Sequence, residues 1–401
     1  MEPAPDVPDE IAIPEPVVAI LRRLEGAGYE TWCVGGAIRD ALANNPHQDV
    51  DLATAAPPDA VRGLFRRTVA VGMEHGTVGV LDDHGALHEV TTFRRDVTTD
   101  GRHAVVAFGV SLDDDLARRD FTINAMAYHP LRQEWRDPFD GRADFHAGII
   151  RAVGDPATRF REDRLRILRA LRFAARFGFV IDPATWEAAR AQAGDTGHLS
   201  AERVRDEWVK GIKSALSLDA LVQRWCDSGV AAVWIPECRP PGPARTAAAL
   251  PIVVAERDPV RTTAVYCSPN AAVWRRLKGS NAEIHRAEAI DRGPPRPTSA
   301  DPRDVRRWMA AVGVAVDDLK PLAVWRGDDG DNWPVVVAQI RARREATTRA
   351  ELAVTGSDLL MAGVLPGPAI GRTLDRLLDA VLDDPEKNTR EALLALAESG
   401  A

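Results

Sequence analysis

The chain has 401 residues, 45% of them hydrophobic and 27% charged, with a formal net charge of −8. This composition is typical of a folded globular protein with room for roughly two to four domain cores, and the negative charge argues against non-specific binding of nucleic acid. No apolar run approaches membrane-spanning length, and the four cysteines show no C-x-x-C spacing. We therefore expect no membrane partner, no zinc site and no disulfide framework. We expect a cytoplasmic location.

Residues 1–16 contain five prolines and five acidic residues but no lysine or arginine. A segment of this composition buries too little apolar surface to fold, so we expect a disordered tail. The lack of basic residues also argues against a secretory signal peptide. A packing helix is predicted to follow over residues 17–24.

An apolar run at residues 31–34 predicts a strand, which Gly35 and Gly36 end. Two successive glycines let the backbone come close to a ligand, because no Cβ intervenes. Residues 37–42, which include Arg39, predict a helix whose first N–H groups favour phosphate. This turn is therefore a predicted phosphate contact.

Asp49 and Asp51 flank Val50 in a second predicted strand. Because side chains alternate along a strand, both carboxylates leave one face while Val50 enters the core. Two neighbouring carboxylates repel unless a cation lies between them, and Mg²⁺ takes oxygen ligands together with substrate phosphates. Either motif alone is usually a plain turn or a solvated strand end, but their combination predicts metal-assisted nucleotidyl transfer.

The combined pattern G-G-x-x-R-D, eight residues, then D-x-D resembles the nucleotidyltransferases of the DNA polymerase β superfamily. It is most similar to the class II (bacterial-type) CCA-adding tRNA nucleotidyltransferases and their poly(A) polymerase relatives. The resemblance implies an α/β polymerase-β-like nucleotidyltransferase head followed by an all-helical neck, body and tail. The implied segments are the disordered tail 1–16, the head 17–150, the neck 151–235 with a base-reading helix, the body 236–350, and the tRNA-contacting tail 351–401.

Two alternating strands are predicted over residues 76–81 and 86–93, joined by an Asp-Asp-His-Gly turn. Glu89 lies in the second strand, where it is either a third metal carboxylate or an exposed strand residue. Its segment E-V-T-T-F-R resembles the family's. The polar residues 94–104 match the position of a flexible loop that helps the family switch between nucleotides.

Residues 116–128 predict a helix carrying R-R-D-F-T-I-N-A. On such a helix Asp120 and Asn124 share one face and would bind a ribose hydroxyl, while Arg118 and Arg119 would reach phosphates. In isolation this pattern is usually a solvated helix start. Its resemblance to the family's R-R-D segment favours nucleotide binding.

Residues 159–177 predict one amphipathic helix that carries E-D-x-x-R at Glu162, Asp163 and Arg166. One interpretation is a surface ion pair that contributes a few tenths of a kcal/mol to stability. However, a carboxylate acceptor beside a guanidinium donor complements the Watson–Crick edges of C and A, which present an amino donor beside a ring-nitrogen acceptor. U and G present the reverse. In the family this motif selects CTP and ATP.

The resemblance therefore implies template-independent addition of CMP and AMP from CTP and ATP to the 3′ end of tRNA. The implied catalytic carboxylates are Asp49, Asp51 and Glu89, of which the two aspartates hold Mg²⁺. Eight arginines within residues 151–176 predict an RNA-binding surface despite the net charge. The implied nucleotide-binding residues are Gly35, Gly36, Arg39, Arg118, Arg119, Asp120, Asn124, Glu162, Asp163 and Arg166.

Several alternatives stay open at this point. CC-only, A-only and poly(A) addition share the same motifs. A small-molecule nucleotidyltransferase would use G-G and D-x-D but would not need a base-reading motif, and an inactive RNA-binding protein would be expected to have lost a metal ligand. The sequence predicts neither the choice between monomer and homodimer nor the role of residues 244–350.

Overall fold

The computed structural model describes residues 10–43, 50–72, 76–99, 104–240, 257–326 and 332–399. They belong to two compact units, Met1–Pro236 and Glu237–Ala401. In the described residues, no helix has both the length and the apolar character needed to cross a membrane. The predicted order of an α/β head followed by helices is confirmed, whereas the finer segment boundaries stay predictions.

The strands lie in the first unit. In chain order they are β1 (Thr31–Val34), β2 (Asp51–Thr54), β3 (Thr68–Gly72), β4 (Thr77–Leu81), β5 (Leu87–Thr92), β6 (Arg94–Thr99), β7 (Ala104–Phe108), β8 (Ala127–His129), β9 (Glu134–Arg136), β10 (Ile149–Ile150) and β11 (Val180–Ile181). The main sheet has the order β3-β4-β5-β2-β1-β8-β9. Within it β2 and β5 run parallel, and the other neighbours run antiparallel.

The helices of the first unit are α1 (Glu15–Gly26), α2 (Gly36–Leu42), α3 (Pro58–Leu64), α4 (Leu112–Ala117), α5 (Gly141–Ala147), α6 (Pro156–Glu162), α7 (Leu165–Phe177), α8 (Pro183–Ala191), α9 (Ala201–Ser214), α10 (Leu218–Ser228) and α11 (Val230–Trp234). Those of the second unit are α12 (Pro259–Tyr266), α13 (Asn270–Arg276), α14 (Asn281–Arg292), α15 (Pro302–Val312), α16 (Val316–Arg326), α17 (Trp333–Ala342), α18 (Gly356–Met361), α19 (Pro368–Asp383) and α20 (Arg390–Glu398).

Strand alternation places the core and the cleft on the same face of the sheet. Val34 of β1 and Ala53 of β2 pack against Leu112 and Leu116 of α4 in one buried cluster. Asp51 lies two residues before Ala53, so its side chain leaves the same face at the end of the strand. The predicted strand 31–34, the turn after it and the hairpin of β4 and β5 are confirmed.

The predicted single helix over residues 159–177 is wrong, because the chain breaks between α6 and α7. Asp163 is extended there, with φ −149° and ψ 107°. Its Oδ1 accepts a hydrogen bond from the Leu165 amide at 3.0 Å. Asp163 is therefore the residue at which α6 ends, and its side chain satisfies the amide of Leu165, the first residue of α7. The E-D-x-x-R residues therefore lie across a helix junction.

The predicted helix over residues 116–128 is also wrong. Helix α4 ends at Ala117, a 3₁₀ turn covers Thr122–Asn124, and β8 begins at Ala127. The Asp120 carboxylate accepts from the Phe121 amide at 2.9 Å, a local bond that competes with helical pairing.

Two further predictions need correction. The polar segment predicted as a loop forms an antiparallel pair, β6 with β7, although residues 100–103 lie outside the described part. The predicted tail overlaps α1, which begins at Glu15, and Ile11 before it is buried.

In the second unit, Cys238 and Cys267 are paired as a disulfide, so the expectation of no disulfide was wrong for this pair. The two lie directly opposite each other in an antiparallel bridge, a proximity that their 29-residue separation in sequence does not reveal. Leu377 and Val381 of α19 pack in an apolar cluster with residues of α18 and α20.

Candidate active site

A cleft of about 690 Å³ opens in the first unit, lined by the ends of β1, β2 and β5, the start of α2, the turn after α4, and helices α7 and α9. Nine basic and five acidic side chains line it. The excess of positive charge favours a polyanionic ligand. The basic residues are Arg39, Arg118, Arg119, Arg166, Arg169, Arg172, Arg176, Arg203 and Lys210.

Asp51 and Glu89 lie side by side in this cleft. The parallel register of β2 and β5 pairs Leu52 with Val90, which places the preceding residues, Asp51 and Glu89, on adjacent strands and the same face. Asp49 lies outside the described residues, so its predicted partnership with Asp51 stays a prediction. The described residues contain no cluster of three potential metal ligands. Two neighbouring carboxylates at a cleft that favours phosphate nonetheless fit a hard divalent cation.

The Gly-Gly turn brings the backbone against Asp51. Gly35 has φ +86°, and a Cβ there would lie 2.9 Å from Asp51 Oδ2. A Cβ on Gly36 would lie 3.3 Å from an Arg39 nitrogen. Glycine is therefore favoured at position 35 by its backbone conformation, and a larger residue would also displace the Asp51 carboxylate. Both glycines line the cleft, and their contact with phosphate stays a prediction.

Arg39 is buried, and its guanidinium is already engaged. It donates to the Asp40 carboxylate at 2.8 and 2.9 Å and to the Asn124 side-chain oxygen at 2.5 Å. It also stacks on the rings of Phe173 and Phe177 of α7. Burial lowers the pKa of Arg39, an effect that the Asp40 charge opposes. These contacts fix the position of Arg39, which also lines the cleft, and its predicted contact with triphosphate stays a prediction.

Asp115 of α4 positions Arg118 and Arg119 at the cleft. This carboxylate is 1% exposed and accepts from Arg118 at 3.0 Å and from Arg119 at 3.1 Å. Burial alone would raise the pKa of Asp115, but the charges of the two arginines outweigh it and the pKa is lowered. Both guanidinium groups remain partly exposed to the cleft, which suits phosphate binding.

Asp120 and Asn124 do come together, although not on a helix. Asn124 donates to Asp120 Oδ1 at 2.9 Å, and Arg169 of α7 donates to Oδ2 at 2.7 Å. Burial would raise the pKa of Asp120, but the Arg169 charge and these hydrogen bonds hold it at about 2. Asp120 is therefore ionised, and it lies buried with Asn124 between the turn after α4 and helix α7.

Arg166 is fixed from three sides at the junction of α6 and α7. It donates to Glu162 Oε2 at 2.7 Å, to the Arg159 carbonyl at 3.1 Å and to the Arg118 carbonyl at 3.0 Å. A guanidinium has five N–H donors, so two of them, including Nε–H, have no partner within the described part of the chain. Arg166 lines the cleft and Glu162 supports it from behind.

Asp163 lines the cleft beside Arg166, and Arg203 of α9 donates to its Oδ2 at 2.8 Å. The structure therefore brings together an acceptor and a donor from the E-D-x-x-R segment in the pocket that also holds Asp51, Glu89 and the R-R-D residues. This arrangement can present protein hydrogen-bonding groups to a base while the triphosphate lies near the carboxylates.

Sequence reasoning missed the residues that hold these groups in place. Asp40 pairs with Arg39 and with Arg176 at 2.8 Å, and Glu207 pairs with Arg172 at 2.6 Å. Asp40 is adjacent in sequence to Arg39 but 136 residues from Arg176, and Glu207 is 35 residues from Arg172. The available signal was the fixed spacing of arginines along α7, which places several of them on one face. The residues concerned are Asp40, Asp115, Arg169, Arg172, Arg203 and Glu207.

Comparisons with known proteins match three parts of the chain to family models. Residues 31–151 match a poly(A) polymerase head domain, residues 178–239 an RNA- and SrmB-binding site of polymerase A, and residues 322–397 a tRNA nucleotidyltransferase domain 2.

Curated relatives extend the match to nearly the full length. A CCA-adding enzyme of Limosilactobacillus fermentum is 34% identical over 403 residues, covering 96% of both chains. The crystal structure of the Bacillus stearothermophilus CCA-adding enzyme in complex with CTP has a TM-score of 0.74 at 31% identity, covering 96% of this chain and 97% of that one. A Thermotoga maritima CCA-adding enzyme complexed with tRNA, at 20% identity over the full length of both chains and a TM-score of 0.65, shares the fold.

Proposed function

The chain belongs to the family of CCA-adding enzymes and their poly(A) polymerase relatives, and we propose from this membership that it adds CMP and AMP to the 3′ end of tRNA. The substrates are CTP and ATP, the order of addition is set without a nucleic-acid template, and pyrophosphate is released. In each step the terminal hydroxyl of the RNA attacks the α-phosphate of the nucleotide.

The observation that carries this proposal is that Asp163 and Arg166 both line the wall of the cleft. Cytosine and adenine each present an amino donor next to a ring-nitrogen acceptor. Asp163 offers oxygen acceptors, and Arg166 retains unused N–H donors beside them. Uracil and guanine would place acceptor against acceptor and donor against donor, which leaves polar groups unpaired.

The other cleft residues divide the remaining work. Arg118 and Arg119, held by Asp115, bind the triphosphate, and Gly35 and Gly36 allow its close approach. Asp120 accepts hydrogen bonds from Asn124 and Arg169. It orients the ribose through the lone pairs of its carboxylate that these two bonds do not use.

The metal is Mg²⁺ in this proposal, held by Asp51 and Asp49. These residues would hold the metal where it would supply charge neutralisation at the phosphates and activation of the attacking hydroxyl. Glu89 lies beside Asp51 and is the candidate third carboxylate.

tRNA is the proposed macromolecular partner and the cytoplasm the proposed compartment. The chain carries matches to RNA-binding and tRNA nucleotidyltransferase domains outside the head, and these support an RNA substrate over a small-molecule acceptor.

A single assay tests this function. Purified protein is incubated with a tRNA that ends before the CCA sequence, with each nucleoside triphosphate alone and with CTP and ATP together, and the product 3′ ends are sequenced. We expect CC with CTP alone and CCA with both. Products ending in CC only, A only or a long run of A would assign a sibling activity, and unextended tRNA would refute the proposal.

A further inference from the structure

Asp163 occupies a position where its backbone does not fix its side chain. It is the extended residue between α6 and α7, so no helical turn restricts its rotamer. Two contacts hold the carboxylate. The Leu165 amide donates to Oδ1 at 3.0 Å, and Arg203 donates to Oδ2 at 2.8 Å from α9. The first contact is local, whereas the second comes from 40 residues further along the chain.

Resting on the proposed function, we propose that Arg203 is a positioning residue for base selection. It holds the Asp163 carboxylate in the orientation that presents an acceptor to the amino group of cytosine or adenine. The E-D-x-x-R segment supplies the acceptor and the donor, and α9 supplies the residue that fixes the acceptor.

The geometry allows the Asp163 carboxylate to be held in place and still accept a hydrogen bond from a base. An ionised carboxylate has about four lone-pair sites, of which Leu165 and Arg203 occupy two. The remaining sites are available for the amino group of a base. A guanidinium is a planar, rigid donor, so it restricts the carboxylate more strongly than an ammonium group would.

Helix α9 is a suitable platform for this task. It begins after Ser200, whose side chain caps it, and Trp208 in its middle is completely buried. Glu207 on the same helix accepts a 2.6 Å hydrogen bond from Arg172 of α7, and both residues are buried. Helices α7 and α9 are therefore fixed to each other, and the distance from Arg203 to Asp163 is fixed with them.

Arg203 also lines the cleft, which raises a competing possibility, that it binds the triphosphate directly. The two roles predict different kinetics. All four nucleotides carry the same triphosphate, so loss of a phosphate contact would slow them equally. Loss of the Asp163 orientation would slow CTP and ATP, and it would leave UTP nearly unaffected because UTP never used the acceptor.

The experiment is single-nucleotide incorporation with each of the four nucleotides, using the full-length wild-type protein, Arg203→Ala, Arg203→Lys and the control Arg164→Ala. Arg164 lies next to Asp163 but pairs with Asp195 at 3.7 Å and does not line the cleft. We expect Arg203→Ala to lower the ratio of kcat/KM for CTP to that for UTP by about tenfold. Arg203→Lys should restore part of the ratio, and Arg164→Ala should leave it unchanged.

A double-mutant cycle with Asp163→Ala completes the test. In that background Arg203→Ala should change the CTP-to-UTP ratio no further, because the residue it positions is gone. An equal loss for all four nucleotides, an unchanged ratio, or an additive effect in the double variant would overturn the inference. A wild-type protein that adds no nucleotide would instead refute the proposed function.

Discussion

Asp51 is the described carboxylate on which the metal assignment depends. Replacing it by asparagine keeps the shape of the side chain but removes its charge. We expect Asp51→Asn to reduce nucleotide addition in Mg²⁺ by roughly two orders of magnitude or more, because metal stabilisation of transition-state charge is worth several kcal/mol. Single-turnover rates measure this, with Asp59→Asn on the exposed first turn of α3 as the control. A near wild-type rate for Asp51→Asn would remove Asp51 from the metal site.

Asp120 makes a second prediction at the scale of one residue, because its pKa of about 2 lies below the value of 3.8 for an ordinary aspartate. A depressed carboxylate pKa stabilises the fold above the unfolded pKa. That stability is lost as the pH falls from about 4 towards 2, and it amounts to about 2 kcal/mol. The difference in unfolding free energy between the wild type and Asp120→Asn should shrink over this interval in urea titrations. A difference that does not change with pH would contradict the pairing with Arg169.

Helix α4 is short, but its buried Asp115 organises the turn that follows it. Asp115→Asn should raise KM for CTP by about tenfold and lower the unfolding free energy by about 3 kcal/mol, because two arginines lose a buried partner. Asp113→Asn on the same helix is the control, since Asp113 pairs with Arg136 at the surface and should cost less than about 1 kcal/mol. A loss of stability with an unchanged KM for CTP would mean that Asp115 is merely structural.

At the scale of elements, the sequence predicted those strands and turns that are determined by local residue pattern. The strand at residues 31–34, the glycine turn and the β4–β5 hairpin follow from apolar alternation and turn residues. The helix breaks did not follow. Residues 159–177 have good helical composition throughout, and residues 118–124 contain weaker helix formers but no glycine or proline that would mark a break. Those breaks depend on side-chain bonds, such as Asp163 with Leu165 and Asp120 with Phe121, which compete with helical hydrogen bonding.

The charge of the whole molecule is negative, yet the cleft of the first unit is lined by more basic than acidic side chains. We expect tRNA affinity to fall on the order of tenfold between about 50 and about 200 mM salt, as phosphate contacts release counterions. Lys210 lines the cleft, is exposed, and has no carboxylate partner among the described residues. Lys210→Ala should reduce the salt slope by about 1. Lys213→Ala, on the same helix outside the cleft, should not, and binding insensitive to salt would contradict an electrostatic RNA surface.

The residues of the candidate site that could be predicted from sequence were those inside recognisable motifs, such as G-G, R-R-D and E-D-x-x-R. The supporting ion pairs were not predictable, because each joins segments that are remote in sequence. Arg176 with Asp40 spans 136 residues, and Arg169 with Asp120 spans 49. Only the packing of α7 against the head brings these partners together, so their roles emerge from the fold and not from any one segment.

The central claim is that protein side chains read the incoming base, and single-nucleotide incorporation by Asp163→Ala and Arg166→Ala tests it most directly. Arg166→Ala removes the donor and Asp163→Ala the acceptor, so each should lower the ratio of CTP to UTP incorporation by roughly ten- to a hundredfold in kcat/KM. Circular dichroism of both variants checks that they are folded. A ratio unchanged from wild type in both variants would contradict the claim and would leave the junction of α6 and α7 with a purely structural role.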